Sequence, residues 1–147
     1  MIIPLNVYAS TASYVVMDAD SGRVLASYNK DEKMLIASTT KIMTSIVAIE
    51  NMDTSLEIEV GDEIDTVYGS MIYVKKGEKL TLESLLYGLM LRSGNDAAMT
   101  IATNTLGYDK FIEEMNNKAK ELKMYNTIFE NPHGLDDDSK NYSTAYD

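Results

Sequence analysis

The spacing of apolar residues changes several times along the chain, and each change marks an element. Between residues 13 and 29, Ser13-Tyr14-Val15-Val16-Met17 is rich in strand formers, Asp18-Ala19-Asp20-Ser21-Gly22 in turn formers, and Arg23 to Tyr28 alternates. That pattern predicts a β-hairpin. An isolated hairpin is marginally stable, so its faces need further partners. From Ser38 to Glu50 the period lengthens: Ile42, Met43, Ile46, Val47 and Ile49 share one helical face. Ser38 suits the start of this helix, where a side-chain oxygen can satisfy free amides, and Asn51 suits its end.

Residues 54–80 read as short strands and turns. Ile58 and Val60 alternate with acids, and Met71 to Val74 forms a second strand-like run before Lys75-Lys76-Gly77. A helix then starts at Thr81, with Glu83 favourable in its first turn and Leu82, Leu85, Leu86, Leu89 and Met90 as its buried stripe. Ser93-Gly94-Asn95 interrupts the pattern. Asp96 is placed to cap a further helix running to about Thr105, closed by Gly107. A last helix, Asp109 to Met124, buries Phe111, Met115, Ala119 and Leu122. Asn131-Pro132-His133-Gly134 is a turn, and Asp136 to Asp147 is polar. There is no internal repeat and no low-complexity linker.

A chain of 147 residues is the size of one domain, able to bury about 70% of its unfolded surface. Hydrophobic residues at 45% and charged residues at 24% are ordinary for a globular protein. With 13 Lys+Arg against 23 Asp+Glu, the net charge is −10. This disfavours nucleic acid and anionic membrane surfaces, which need clustered positive charge. The absence of cysteine excludes disulfides, thiolate metal sites and a cysteine nucleophile, and a single histidine, His133, argues against a Ser-His-Asp triad. That histidine, in an Asn-Pro turn, reads as structural rather than catalytic. Residues 1–9, MIIPLNVYA, are too short to span a bilayer. They read either as the back end of a secretion signal or as an N-terminal tail, with one domain over residues 10–147.

Chemistry enters with Ser38-Thr39-Thr40-Lys41. Residues three apart on a helix are neighbours. A serine hydroxyl needs a base, and a lysine can serve only if its pKa is brought down. Burial and the positive end of a helix both do that. Taken alone, the same residues are also an ordinary helix-start serine and a solvated lysine, yet here they sit between Leu35, Ile36, Ala37 and Ile42, Met43. Ser93 and Asn95 read either as a polar turn or as a proton shuttle and an amide holding the substrate and the lysine. Their pairing with the upstream motif, in that order, favours the second.

The combination of Ala37-Ser38-Thr39-Thr40-Lys41-Ile42-Met43-Thr44, Leu89-Met90-Leu91-Arg92-Ser93-Gly94-Asn95-Asp96-Ala97-Ala98 and Asn131-Pro132-His133-Gly134-Leu135-Asp136 resembles the serine D-alanyl-D-alanine carboxypeptidases, the low-molecular-mass penicillin-binding proteins. The resemblance runs from about Ala12 onward. The glycine in Ser-Gly-Asn is similar to this group rather than to class A β-lactamases, which carry Ser-Asp-Asn.

The resemblance implies an α/β (α+β) fold of the β-lactamase/transpeptidase type, with helices packed on an antiparallel sheet. It implies Ser38 as the acyl-ester nucleophile, Lys41 as general base, Ser93 as proton shuttle and Asn95 as the residue positioning substrate and lysine. The substrate it implies is the peptidoglycan pentapeptide, with β-lactams as inhibitors, no cofactor and no metal. It also implies an extracytoplasmic place in a bacterial envelope, with any membrane contact made by regions outside this chain.

Family members also carry a Lys-Thr-Gly strand that binds the substrate carboxylate and supplies a second oxyanion donor. Neither it nor Lys-Ser-Gly or His-Thr-Gly occurs here. The expectation is therefore a partial catalytic domain, poorly active alone, whose sheet is completed by a further C-terminal segment or a second chain. A β-lactamase or peptidoglycan endopeptidase of the same fold is one alternative. A non-catalytic binding module that keeps the motifs is another.

Overall fold

A computed structural model describes residues 13–136 and 139–147. The N-terminal reading for residues 1–9, and the start of the domain up to residue 12, lie outside the described residues.

The hairpin forms as its pattern predicts. Strand β1 (Tyr14–Met17) pairs antiparallel with β2 (Val24–Tyr28), with a register shift between Val16 and Met17. Asp18 closes the turn, its carbonyl accepting the Gly22 N–H and its carboxylate the Ser21 N–H, both at 2.9 Å. Tyr14 and Tyr28 stack across the pair at 6.2 Å between ring centroids. Both faces of the hairpin stay largely exposed among the described residues.

Two further antiparallel pairs follow. Strand β3 (Met34–Leu35) pairs with β6 (Tyr142–Ser143), and β4 (Glu57–Glu59) with β5 (Lys79–Thr81). The β3–β6 pair was not foreseen, because a polar C-terminal segment shows no strand alternation. It draws that segment across the molecule and buries Asn141, Ser143 and Thr144.

Four helices make the core: α1 (Thr40–Asn51), α2 (Leu82–Arg92), α3 (Asn95–Asn104) and α4 (Tyr108–Glu121). Helix α3 is central and packs against the other three. Its small residues Ala97, Ala98 and Ala102 let the neighbours approach closely. Leu85 and Leu89 of α2, Val47 of α1 and Phe111 and Met115 of α4 share one buried cluster with its Ile101. Each such large apolar side chain contributes about 1.5–3 kcal/mol on burial. No helix among the described residues is long and apolar enough to cross a membrane.

Several expectations are corrected. Met90 (50%) and Leu122 (52%) are exposed rather than buried, and Ile42 (54%) and Ile49 (55%) on the apolar face of α1 are exposed as well, because these apolar stripes are wider than the faces their described neighbours cover. Ser38 does not cap α1; it lies in a single 3₁₀ turn, Ala37–Thr39, and Thr39 occupies the cap position without a side-chain cap bond. Thr81 does cap α2, accepting the Ser84 N–H.

Helix α3 starts at Asn95 with Gly94 as its cap and ends at Asn104, while Gly107 (φ +87°) precedes α4 instead. Asp96 is not that cap. Its carboxylate accepts the N–H groups of Ile72 at 3.0 Å, Tyr73 at 2.7 Å and Val74 at 3.2 Å. For the same reason residues 71–74 are not a strand: the amide hydrogens of Ile72, Tyr73 and Val74 point at a carboxylate rather than at a neighbouring strand.

Candidate active site

The 3₁₀ turn Ala37–Thr39 leads directly into α1. It turns Ser38 outward and Lys41 inward. Ser38 is exposed, whereas Lys41 is 2% exposed. The lysine Nζ nevertheless donates to Ser38 Oγ at 3.2 Å. From the other side, Ser93 Oγ donates to Ser38 Oγ at 3.0 Å. Ser93 is the residue that ends α2, in the left-handed conformation (φ +56°, ψ +36°), its N–H bonded to the Gly88 carbonyl. That sharp reversal brings the hydroxyl back toward α1. An open cleft of about 350 Å³ lies over these groups, walled by Ile42, Leu89 and Met90. The exposed Ile42 and Met90 thus line the cleft rather than the core.

A protonated lysine is normally kept in water. Burial of Lys41 disfavours its ammonium form and lowers its pKa from 10.5 to about 8. Its second partner is the carbonyl oxygen of His133, 2.7 Å from Nζ. The side chain of Asn95 is buried, and its Nδ2 donates to the Tyr68 carbonyl at 2.7 Å, while its N–H donates to the Ser70 carbonyl at 2.8 Å. So three of the four residues singled out in the sequence converge on one point. The fourth stands beside them, anchoring the loop around Tyr68, with no hydrogen bond to Lys41 among the described residues.

The sequence marks Asn131-Pro132-His133-Gly134 as a turn and His133 as a structural residue. That reading missed that the turn supplies the acceptor for the lysine. His133 Nδ1 accepts the Leu135 N–H at 3.1 Å, and the Pro132 carbonyl accepts from Thr44 Oγ1 at 2.7 Å, which presses the turn onto α1. His133 lies 92 positions from Lys41, and its contribution is a backbone carbonyl that every residue has; no local pattern marks it.

An exposed serine hydroxyl, held by a buried amine of lowered pKa and a second hydroxyl, is an acyl-transfer arrangement. The fold that carries it is that of penicillin-binding proteins. The chain is similar to D-alanyl-D-alanine carboxypeptidase from Mycobacterium tuberculosis, with 35% identity and a TM-score of 0.86 over 91% of this chain and 51% of that one. It is also similar to penicillin binding protein 6B from Escherichia coli, with 30% identity and a TM-score of 0.82 over 99% of this chain and 49% of that one.

The sequence matches the peptidase S11 family, D-alanyl-D-alanine carboxypeptidase, over residues 4–147, and the chain belongs to that family. Among curated relatives, D-alanyl-D-alanine carboxypeptidase DacF of Bacillus subtilis is 39% identical over 142 residues, covering 92% of this chain and 36% of the relative. The chain thus spans about a third of that relative's length.

Proposed function

We propose that this chain carries the nucleophile, base and proton relay of a serine D-alanyl-D-alanine carboxypeptidase. The observation that carries the reading is the single point at which Ser38 Oγ meets Lys41 Nζ at 3.2 Å and Ser93 Oγ at 3.0 Å. Neutral Lys41 takes the hydroxyl proton as Ser38 Oγ attacks the carbonyl carbon between the two terminal D-alanines of a peptidoglycan stem pentapeptide. The Ser38 N–H is one donor to the developing oxyanion. As the C–N bond breaks, Ser93 relays the proton to the amine of the departing D-alanine. Water then hydrolyses the acyl ester and restores Ser38. Asn95 holds the substrate amide from its place beside the lysine, where it anchors the loop around Tyr68. β-Lactams acylate the same serine. The substrate places the work outside the cytoplasmic membrane, in a bacterial envelope.

Fluorescent penicillin tests this in the protein that carries this segment. Stoichiometric labelling that Ser38→Ala abolishes, with release of D-alanine from a pentapeptide, is the expected result. Label retained in Ser38→Ala overturns the assignment. Rapid turnover of nitrocefin marks a β-lactamase instead, and a folded protein that takes no label marks a binding module.

A further inference from the structure

Asn141 lies in the polar C-terminal segment, yet it is 2% exposed. Its Nδ2 donates to Thr40 Oγ1 at 2.8 Å and to the carbonyl oxygen of Asn131 at 3.0 Å. Its Oδ1 accepts the N–H groups of Glu130 at 2.8 Å and Asn131 at 3.2 Å. One side chain therefore ties the residue just before Lys41 to the start of the turn that ends in His133. Asn131, itself 1% exposed, shapes that turn from within: its Oδ1 accepts the N–H groups of His133 at 3.2 Å and Gly134 at 2.6 Å. A primary amide presents donors and acceptors from one planar group, and Asn141 uses both ends. Aspartate at this position loses the donor; leucine loses both.

We propose that Asn141 is a positioning residue for the lysine base, acting through Thr40 on one side and through Asn131 and the His133 carbonyl on the other. The proposal rests on the assignment of Lys41 as that base. A carbonyl oxygen only accepts, so His133 holds an N–H of Lys41 in either protonation state. In the neutral amine this leaves the lone pair to face Ser38 Oγ. If the turn shifts relative to Thr40, the amine rotates and the lone pair leaves the serine hydroxyl. The chain positions involved, 40, 131, 133 and 141, share no local pattern; only the tertiary fold makes them one device.

The test compares wild type with Asn141→Ala and Thr40→Val in lysine side-chain NMR titrations of the folded protein. Thr40→Val keeps the shape and removes the hydroxyl that accepts from Asn141 on the helix side. The groups facing Lys41 are the Ser38 and Ser93 hydroxyls and the His133 turn; the His133 imidazole is followed in the same pH series so that its titration is separated. Losing the carbonyl removes a partner that favours the ammonium, so the Lys41 midpoint is expected to fall by about half a pH unit or more in both variants, about threefold in equilibrium constant. Acylation by a β-lactam is expected to slow about tenfold, less than the roughly 10²–10⁴-fold of losing a general base outright, even though more of the amine is neutral.

These opposite movements separate positioning from a general loss of stability. Folded variants that titrate Lys41 at the wild-type midpoint overturn the proposal. If Asn141→Ala does not fold, Thr40→Val decides. A wild-type protein that is not acylated at Ser38 removes the proposed function, and the lysine titration still decides the positioning.

Discussion

Gly134 approaches Ala37 so closely that a β-carbon at position 134 would lie 1.9 Å from the Ala37 carbonyl oxygen. This contact seats the His133 turn against the 3₁₀ turn that carries Ser38. Gly134 also has φ +89°, where side chains are strained whatever the space. Gly134→Ala must therefore push the turn away from Ala37. Overpacking against backbone together with left-handed strain is expected to destabilise the protein by about 1–3 kcal/mol. Thermal melting checks this: a fall of several degrees is expected, and an unchanged midpoint refutes the close approach.

The lowered pKa of Lys41 has two consequences with opposite reach in pH. Its amine becomes an acceptor above about 8, so acylation of Ser38 by a β-lactam is expected to rise about tenfold per pH unit below that point and level off above it. Stability follows from proton counting. Between about 8 and 10.5 the unfolded chain holds the lysine proton while the folded chain has released it, so stability rises with pH across that window. Below about 8 both states hold the proton, and the full penalty of burying the ammonium is present. Lys41→Met, of similar length and no charge, is expected to flatten the stability slope and slow acylation by about 10²–10⁴-fold. Stopped-flow acylation rates and urea melts across the window measure the two effects.

Ser93 separates strain from chemistry. Its left-handed backbone (φ +56°) costs a non-glycine residue about 1–2 kcal/mol, while its hydroxyl reaches Ser38. Ser93→Ala and Ser93→Gly both delete the hydroxyl and are both expected to slow acylation. Only the glycine variant relieves the backbone, and it is expected to be about 1 kcal/mol more stable than the alanine variant. Paired denaturation curves read the difference; equal stabilities argue against stored strain at this position.

Asp96 organises the loop in front of α3 by accepting the N–H groups of Ile72, Tyr73 and Val74 on one buried carboxylate. Asp96→Asn replaces an oxygen with an amino group that faces donors. The loss is expected to be about 2 kcal/mol, as for hydrogen bonds to a charged partner, and hydrogen exchange should accelerate at residues 72–74 before it does in the helices. Uniform exchange across α3 and this loop would show that the carboxylate has no local role.

Legibility in the sequence followed the range of the forces involved. The hairpin, the helix start at Thr81 and the helical periods were readable because period and turn chemistry are set by neighbours a few residues apart. Met71 to Val74 was misread as a strand because the partner for its amides, Asp96, lies more than twenty positions away. Met90 was misassigned to a buried stripe because a stripe reports that a face is apolar, not what covers it; here the cleft beside Ser38 claims it, together with Ile42. Asn141 left no trace, since a buried asparagine in a polar segment looks like any surface one.

What the sequence alone determined was the candidate pair, a serine and a lysine at the spacing the proposed chemistry needs. Ser38 and Lys41 are three residues apart, in the 3₁₀ turn and the first turn of α1 that follows it, and local helical winding makes such residues neighbours without help from elsewhere. The tertiary structure decided their chemical state and their company. It buried Lys41, which lowers the proton affinity of its amine by desolvation. It brought Ser93 from 55 positions away onto the serine and set the His133 carbonyl against the amine. Burial and long-range approach depend on how whole elements pack, and no short window of residues contains that information.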